Sequence, residues 1–135
     1  MKIALVGCGG RGTGAASQAL NAGSDVELVA LADLWEDKAK QALRLLKDKH
    51  EGQVDVPDDR IFTGWDAYKH AIKEADVVLC ATPPGFRPQH FEEVVRQGKH
   101  AFIEKPVATD VAGVKRVLAA GEEAKKKRQI GRAHV

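Results

Sequence analysis

Apolar residues fall along this chain in short dense runs, and between the runs lie longer amphipathic stretches. Lys2–Val6 is a compact run that ends in glycines and predicts a buried strand. Residues 12–22, rich in Ala, Gln and Leu, predict a helix closed by Gly23. A second strand is predicted over 26–32. Between Glu36 and Lys49, Ala39, Ala42, Leu43 and Leu46 recur with a helical period. Residues 50–59 are polar, contain Gly52 and Pro57, and predict a loop. Ile61 and Phe62 form a short third strand, 65–72 a helix, 76–80 (DVVLC) a buried strand, and 81–85 a proline loop. A helix over 88–97 ends at Gly98, a strand follows over 100–104, and a long helix runs over 110–127 with Asp110 as its N-cap. Ile130 opens a further strand.

Strands that alternate with helices require parallel pairing and right-handed crossovers. Strands apolar on both faces are expected where helices cover both sides of the sheet. The pattern therefore predicts an α/β domain, a doubly wound parallel sheet of the Rossmann kind, with a ligand crevice at the C-terminal ends of the strands. The chain has 135 residues, enough for one core without disulfides or metal. No run is long and apolar enough to span a bilayer, and residues 1–7 end in a glycine loop where a signal peptide would have a cleavage site. Membrane partners are not expected.

The net charge is +2, but residues 105–135 hold eight Lys/Arg against three Asp/Glu. Much of that excess is Lys125-Lys126-Lys127-Arg128. Without an aromatic platform or a DNA-binding motif, the run reads as a solvated helix end where cations suit the dipole, not as a nucleic-acid site. Cys8 and Cys80 have neither CxxC nor zinc-type spacing, so they are read as small buried residues of a reducing cytoplasm, and no metal is expected.

The chemistry-bearing residues cluster at predicted strand ends. Gly7-Cys8-Gly9-Gly10-Arg11-Gly12 is G-x-G-x-x-G between a strand and a helix. Gly7 permits the tight turn, Gly9 lets a pyrophosphate approach the backbone, and Gly12 lets the helix pack closely on the strand. The helix N-terminus offers amides and a positive dipole end to phosphates. Asp33 closes the second strand, where a carboxylate bonds the adenosine ribose hydroxyls; it can also serve as N-cap for the helix from Glu36. No Arg follows it directly, and Leu34 and Trp35 come next, so NAD is favoured over NADP. Trp35 either flanks the adenine or, as the preferred reading, packs its helix onto the sheet edge. Ala81-Thr82-Pro83-Pro84 walls the cofactor site or simply joins a strand to a helix. His90 faces the crevice or solvent. Glu104-Lys105-Pro106 ends the fifth strand, either as a surface ion pair or with Lys105 exchanging a proton with a reacting alcohol.

Together Gly7–Gly12, Thr82-Pro83, Gly98-Lys99-His100 and Glu104-Lys105-Pro106 resemble the Gfo/Idh/MocA oxidoreductase family over residues 1–129. GCGGRGTG and ATPPGFRPQH look most like its bacterial subgroup containing NAD-dependent glycosidases. The resemblance implies a two-domain, homo-oligomeric enzyme that uses NAD(P) on sugars, cyclitols or related hydroxy compounds. Lys105 would bind the reacting substrate oxygen, Glu104 the nicotinamide end of the cofactor, and His90 would lie near the nicotinamide. The resemblance also implies a cis Lys105-Pro106 bond.

The C-terminal substrate domain that the resemblance implies, with its Asp and His motif, is expected to be missing, leaving a chain inactive alone. Residues 130–135 (IGRAHV) match one reading frame of a sequencing adapter and are expected to be foreign to the domain. Dehydrogenase chemistry, NAD-dependent glycosidase chemistry and a non-catalytic nucleotide-binding module stay open. An S-adenosylmethionine methyltransferase is opposed by Glu104-Lys105-Pro106.

Overall fold

In the computed structural model, which describes residues 1–133, strands and helices alternate as the pattern requires. The order is β1 (Lys2–Val6), α1 (Gly10–Asn21), β2 (Glu27–Asp33), α2 (Glu36–Lys49), β3 (Ile61–Thr63), α3 (Ala67–Glu74), β4 (Val77–Cys80), α4 (Arg87–Arg96), β5 (His100–Ile103), α5 (Val111–Lys126) and β6 (Gly131–Ala133). The six strands form one parallel sheet in the order β3-β2-β1-β4-β5-β6. The order reverses between β1 and β4, where a doubly wound sheet opens its crevice.

Side-chain alternation along the strands sorts the helices into two layers. Ile3 and Leu5 of β1 pack with Leu28, Leu31, Ala16, Leu20, Ala39 and Leu46, so α1 and α2 cover one face. Ala4 and Val6 pack on the other face with Tyr68, Ile72, Phe91, Val94, Ala120 and Ala124, from α3, α4 and α5. A bulge in β2 shifts the register between Ile3 and Ala4, so Val29 and Ala30 both fall on this second face. The Arg60 Nε donates to the Val29 carbonyl at 2.8 Å beside that bulge. Asp110 caps α5 as expected, its side chain accepting from the Gly113 amide at 2.6 Å.

Three departures from the sequence reading exceed a single residue. α1 begins at Gly10, before Gly12, because the Gly9 carbonyl already accepts from the Thr13 amide. α3 begins at Ala67, since Gly64 takes φ +98 and turns the chain so that Trp65 precedes the helix. Residues 50–59 are not merely a loop. Val54 bridges to Leu28, Val56 is buried, and a 3₁₀ turn occupies Asp58–Arg60. The strand expected near Ile130 is β6, paired with β5; the expectation for His134 and Val135 lies outside the described residues. No helix among the described residues is long and apolar enough to cross a membrane.

Candidate functional site

The glycine loop contains two kinds of glycine, distinguished by what an added Cβ would touch. At Gly7, where φ is +97, it would lie 2.5 Å from the Thr82 amide nitrogen; at Gly12 it would lie 1.9 Å from the Gly7 carbonyl oxygen. These two are required by backbone packing alone. At Gly9 and Gly10 a Cβ would meet nothing within 4 Å, and both line the crevice. Gly9 is the N-cap of α1 and supplies no side-chain hydrogen bond. The amides of the first turn have no intrahelical acceptor and carry the positive end of the helix dipole. That combination, a bare backbone cradle at a helix N-terminus, suits a phosphate.

Cys8 is placed differently from the other loop residues. Its thiol is buried against the Ala32 carbonyl, away from the crevice, and its amide donates to Asp33 Oδ2 at 2.7 Å. Burial, and then the Asp33 charge, push the thiol well above its ordinary pKa. The thiol is thus a small buried group, as read from the sequence, because the turn that opens at Gly7 directs it into the core and leaves only the Cys8 backbone in the glycine loop. Cys80, on the opposite sheet face, is also buried and free.

Asp33 joins the glycine loop to the next turn. Its Oδ1 accepts from the Trp35 amide at 2.9 Å while Oδ2 holds Cys8. It does not cap α2, whose N-cap is Trp35 without a side-chain cap. Trp35 also departs from the preferred packing reading: it is 63% exposed and lines the crevice with Leu34 and Lys38. Small residues explain this, since Ala39 and Ala42 bring α2 close to the sheet and leave the indole outside.

Ala81, Thr82 and Pro83 form the opposite wall, while Pro84 begins a 3₁₀ turn off that wall. Thr82 Oγ1 and His90 Nδ1 share a hydrogen bond of 2.9 Å. The His90 ring is buried, stacked on Tyr68 at 4.2 Å and on Phe86 at 6.1 Å. Burial pulls its pKa down to about 4, so the imidazole is neutral at pH 7. Trp65, exposed beside Phe86, continues this aromatic wall. The crevice measures about 530 Å³, within the range of small-molecule sites.

At the end of β5, the Glu104 amide donates to the Cys80 carbonyl, and the Lys105-Pro106 bond is cis, as the resemblance implied. Glu104 is buried and Lys105 exposed, and neither lines the crevice itself. Arginines connect them to it. Arg87, buried at the start of α4, donates to the carbonyls of Thr82, Glu104 and Pro106 at 2.7, 2.6 and 2.6 Å. Arg11, from the first turn of α1, reaches Glu104 with its Nε 3.4 Å from Oε2. Sequence reasoning singled out neither Arg87 nor the crevice residues Trp65, Tyr68 and Phe86. The signal for Trp65 was the preceding Gly64, and that for Phe86 and Arg87 was their place in ATPPGFRPQH, which assigned neither a role.

The crevice thus brings together Gly7, Gly9, Gly10, Arg11, Gly12, Asp33, Leu34, Ala81, Thr82, Pro83 and His90. A phosphate cradle flanked by a carboxylate on one side and an aromatic wall on the other fits a dinucleotide. Among the described residues no cluster of His, Cys, Asp and Glu could hold a metal ion.

Comparison with known proteins agrees with this geometry. The oxidoreductase family GFO/IDH/MocA, NAD-binding Rossmann fold, matches residues 1–132. The chain is 30% identical over 129 residues to glycosyl hydrolase family 109 protein 1 of Akkermansia muciniphila, covering 93% of this chain and 26% of that protein. It is 28% identical over 124 residues to the inositol 2-dehydrogenase/D-chiro-inositol 3-dehydrogenase of Halalkalibacterium halodurans, covering 89% and 32%. The crystal structure of scyllo-inositol dehydrogenase from Lactobacillus casei, with bound NAD(H) and scyllo-inositol, superposes with a TM-score of 0.72 at 20% identity. That match covers 98% of this chain and 35% of the other, and it shows the fold. The chain therefore spans about a quarter to a third of the length of these relatives. The family match over nearly the whole chain, on a doubly wound sheet with this glycine loop, makes the chain a member of the Gfo/Idh/MocA oxidoreductases, carrying their N-terminal NAD(P)-binding Rossmann domain.

Proposed function

We propose that the crevice binds NAD(H) in preference to NADP(H), and that the whole protein uses it to oxidise or reduce a sugar, cyclitol or related hydroxy compound. The observation that carries this reading is Asp33, a carboxylate on the crevice wall fixed by the Cys8 and Trp35 amides. Its remaining lone pairs accept hydrogen bonds from the adenosine ribose hydroxyls, and its charge repels a 2′-phosphate. Gly9, Gly10 and the first-turn amides of α1 hold the phosphates. Ala81, Thr82 and Pro83 wall the site, while His90 and Glu104 stand at its nicotinamide end. The bound nicotinamide supplies a hydride acceptor or donor. Lys105 binds the reacting oxygen of the substrate and holds or releases its proton.

Fluorescence titration with NADH and NADPH tests the cofactor preference. NADH binds more tightly to the unaltered chain, and Asp33→Ser narrows the gap; tighter binding of NADPH to the unaltered chain refutes the reading. Hydride transfer also requires the donor carbon to be held over the nicotinamide. Lys105 is exposed here, so we expect these 135 residues to bind dinucleotide without turning over free polyols. Polyol-dependent NADH formation abolished by Lys105→Ala would overturn that expectation. The relatives named as glycosyl hydrolases favour a second reading, in which transient oxidation serves glycoside cleavage. Release of sugar from a glycoside without net NADH would distinguish it in the whole protein.

A further inference from the structure

We infer that Arg11 is a two-ended strap, holding Glu104 with one edge of its guanidinium and the phosphates of the bound dinucleotide with the other. The inference rests on the dinucleotide reading above and adds a residue that contacts the ligand through its side chain.

Three observations carry it. First, Arg11 is oddly placed as a structural residue. It sits in the first turn of α1, where the helix dipole disfavours a cation, and its side chain is 66% exposed. Second, its partner is not an ordinary surface carboxylate. The Glu104 side chain is only 7% exposed, and its Oε2 is buried with no hydrogen-bond donor among the described residues. Arg87, the other cation nearby, spends its hydrogen bonds on the carbonyls of Thr82, Glu104 and Pro106, leaving the carboxylate to Arg11. Arg87 lends Glu104 its charge but no hydrogen bond to the carboxylate, and a buried carboxylate oxygen without a donor is costly, a cost relieved when Arg11 is held in place. Third, the Arg11–Glu104 contact joins the N-terminus of α1 to the end of β5, and Arg11 itself lines the crevice beside Gly9 and Gly10.

A guanidinium is a planar fork with five N–H donors. Nε faces Glu104, and neither Nη group has a hydrogen-bond partner among the described residues. With the phosphates in the cradle, the Nη edge meets a phosphate oxygen while Nε keeps the carboxylate. The phosphates offset the dipole's opposition to Arg11 and fix the side chain, which in turn tightens its hold on Glu104. Occupation of the phosphate cradle and the charge environment at the end of β5 are thereby coupled. A lysine supplies the charge and three donors, but all on one compact nitrogen, so it spans two separated acceptors less well than the two edges of a guanidinium.

Calorimetric titration of the 135-residue chain with ADP-ribose, which has both phosphates and no nicotinamide, tests this, with adenosine as the phosphate-free control. Arg11→Ala is expected to weaken ADP-ribose binding about tenfold or more, the size of a charge-assisted hydrogen bond, and to leave adenosine binding unchanged. Arg11→Lys recovers only part of the loss. Glu104→Gln weakens ADP-ribose binding when Arg11 is present and has a smaller effect in the Arg11→Ala background. Unchanged ADP-ribose affinity in Arg11→Ala overturns the inference while leaving the dinucleotide reading intact. Equal losses for ADP-ribose and adenosine, or additive effects of the two substitutions, overturn it too. An unaltered chain that binds neither NADH nor ADP-ribose overturns both.

Discussion

Replacing Arg87 by methionine should be among the most damaging single changes in this domain. Its guanidinium is buried and donates to three main-chain carbonyls, which belong to the loop after β4 and the loop after β5. Hydrogen bonds made by a charged donor contribute about 1.5–3 kcal/mol each. Against the three stands the cost of burying the guanidinium, several kcal/mol. That cost is visible in the arginine's pKa, lowered by burial despite the nearby Glu104 charge. Methionine keeps much of the apolar stem and restores no donor. The net loss should be about 3 kcal/mol, or a Tm lower by roughly 12 °C at about 4 °C per kcal/mol for a domain of this size. Urea and thermal unfolding measure it. Arg116→Met, which breaks an exposed pair with Glu92, is the control and should change stability by less than about 0.5 kcal/mol. If Arg87→Met is as mild as Arg116→Met, the three hydrogen bonds do not hold the loops together and the reasoning fails.

Other substitutions separate folding from binding. Gly12→Ala places a methyl group against the Gly7 carbonyl and should cost several kcal/mol of stability, whereas Gly9→Ala, at an N-cap with open space around it, should cost no more than about 1 kcal/mol and weaken NADH binding. Because His90 resists protonation down to about pH 4 while an unfolded histidine accepts a proton near 6.5, stability should fall as pH drops from about 6.5 towards 4. The slope should approach 1.4 kcal/mol per pH unit and flatten in His90→Gln, as read from urea midpoints across that window. Both tryptophans line the crevice, so NADH should quench intrinsic fluorescence, and Trp35→Phe should reduce that quenching.

The fold was legible because its signals are local. β1 and α2 have the boundaries that periodicity predicts, and the glycine motif could be assigned because the strand before it and the helix after it were both visible. The motif's spacing did not reveal which glycines serve the backbone and which serve a ligand. That division depends on Ala81 and Thr82, which approach Gly7 only after β4 has paired with β1. Trp35 was misjudged for a related reason. A tryptophan at a helix start buries large apolar area when the helix stands off from the sheet, but Ala39 and Ala42 set this helix too close for it.

What sequence reasoning could not reach is the set of contacts that cross strand ends. Arg87 breaks no hydrophobic pattern, was read only as part of the ATPPGFRPQH resemblance with no role of its own, and begins a helix, where a charged residue ordinarily reads as solvated. It is buried because β4 and β5 are neighbours, which places the Thr82 carbonyl and those of Glu104 and Pro106 around one guanidinium. Arg11 follows the same logic. The sequence places it in the cofactor-binding loop, but its position within the motif tolerates any residue, so spacing gives its side chain no separate task, and one emerges only when the end of β5 delivers a buried carboxylate beside the phosphate cradle. The residues that define the cradle belong to the first loop and were readable as a motif. Of those that connect the cradle to the Lys105 end, Arg11 lies in that same loop while Arg87 and Glu104 come from others, and only the strand order brings them together.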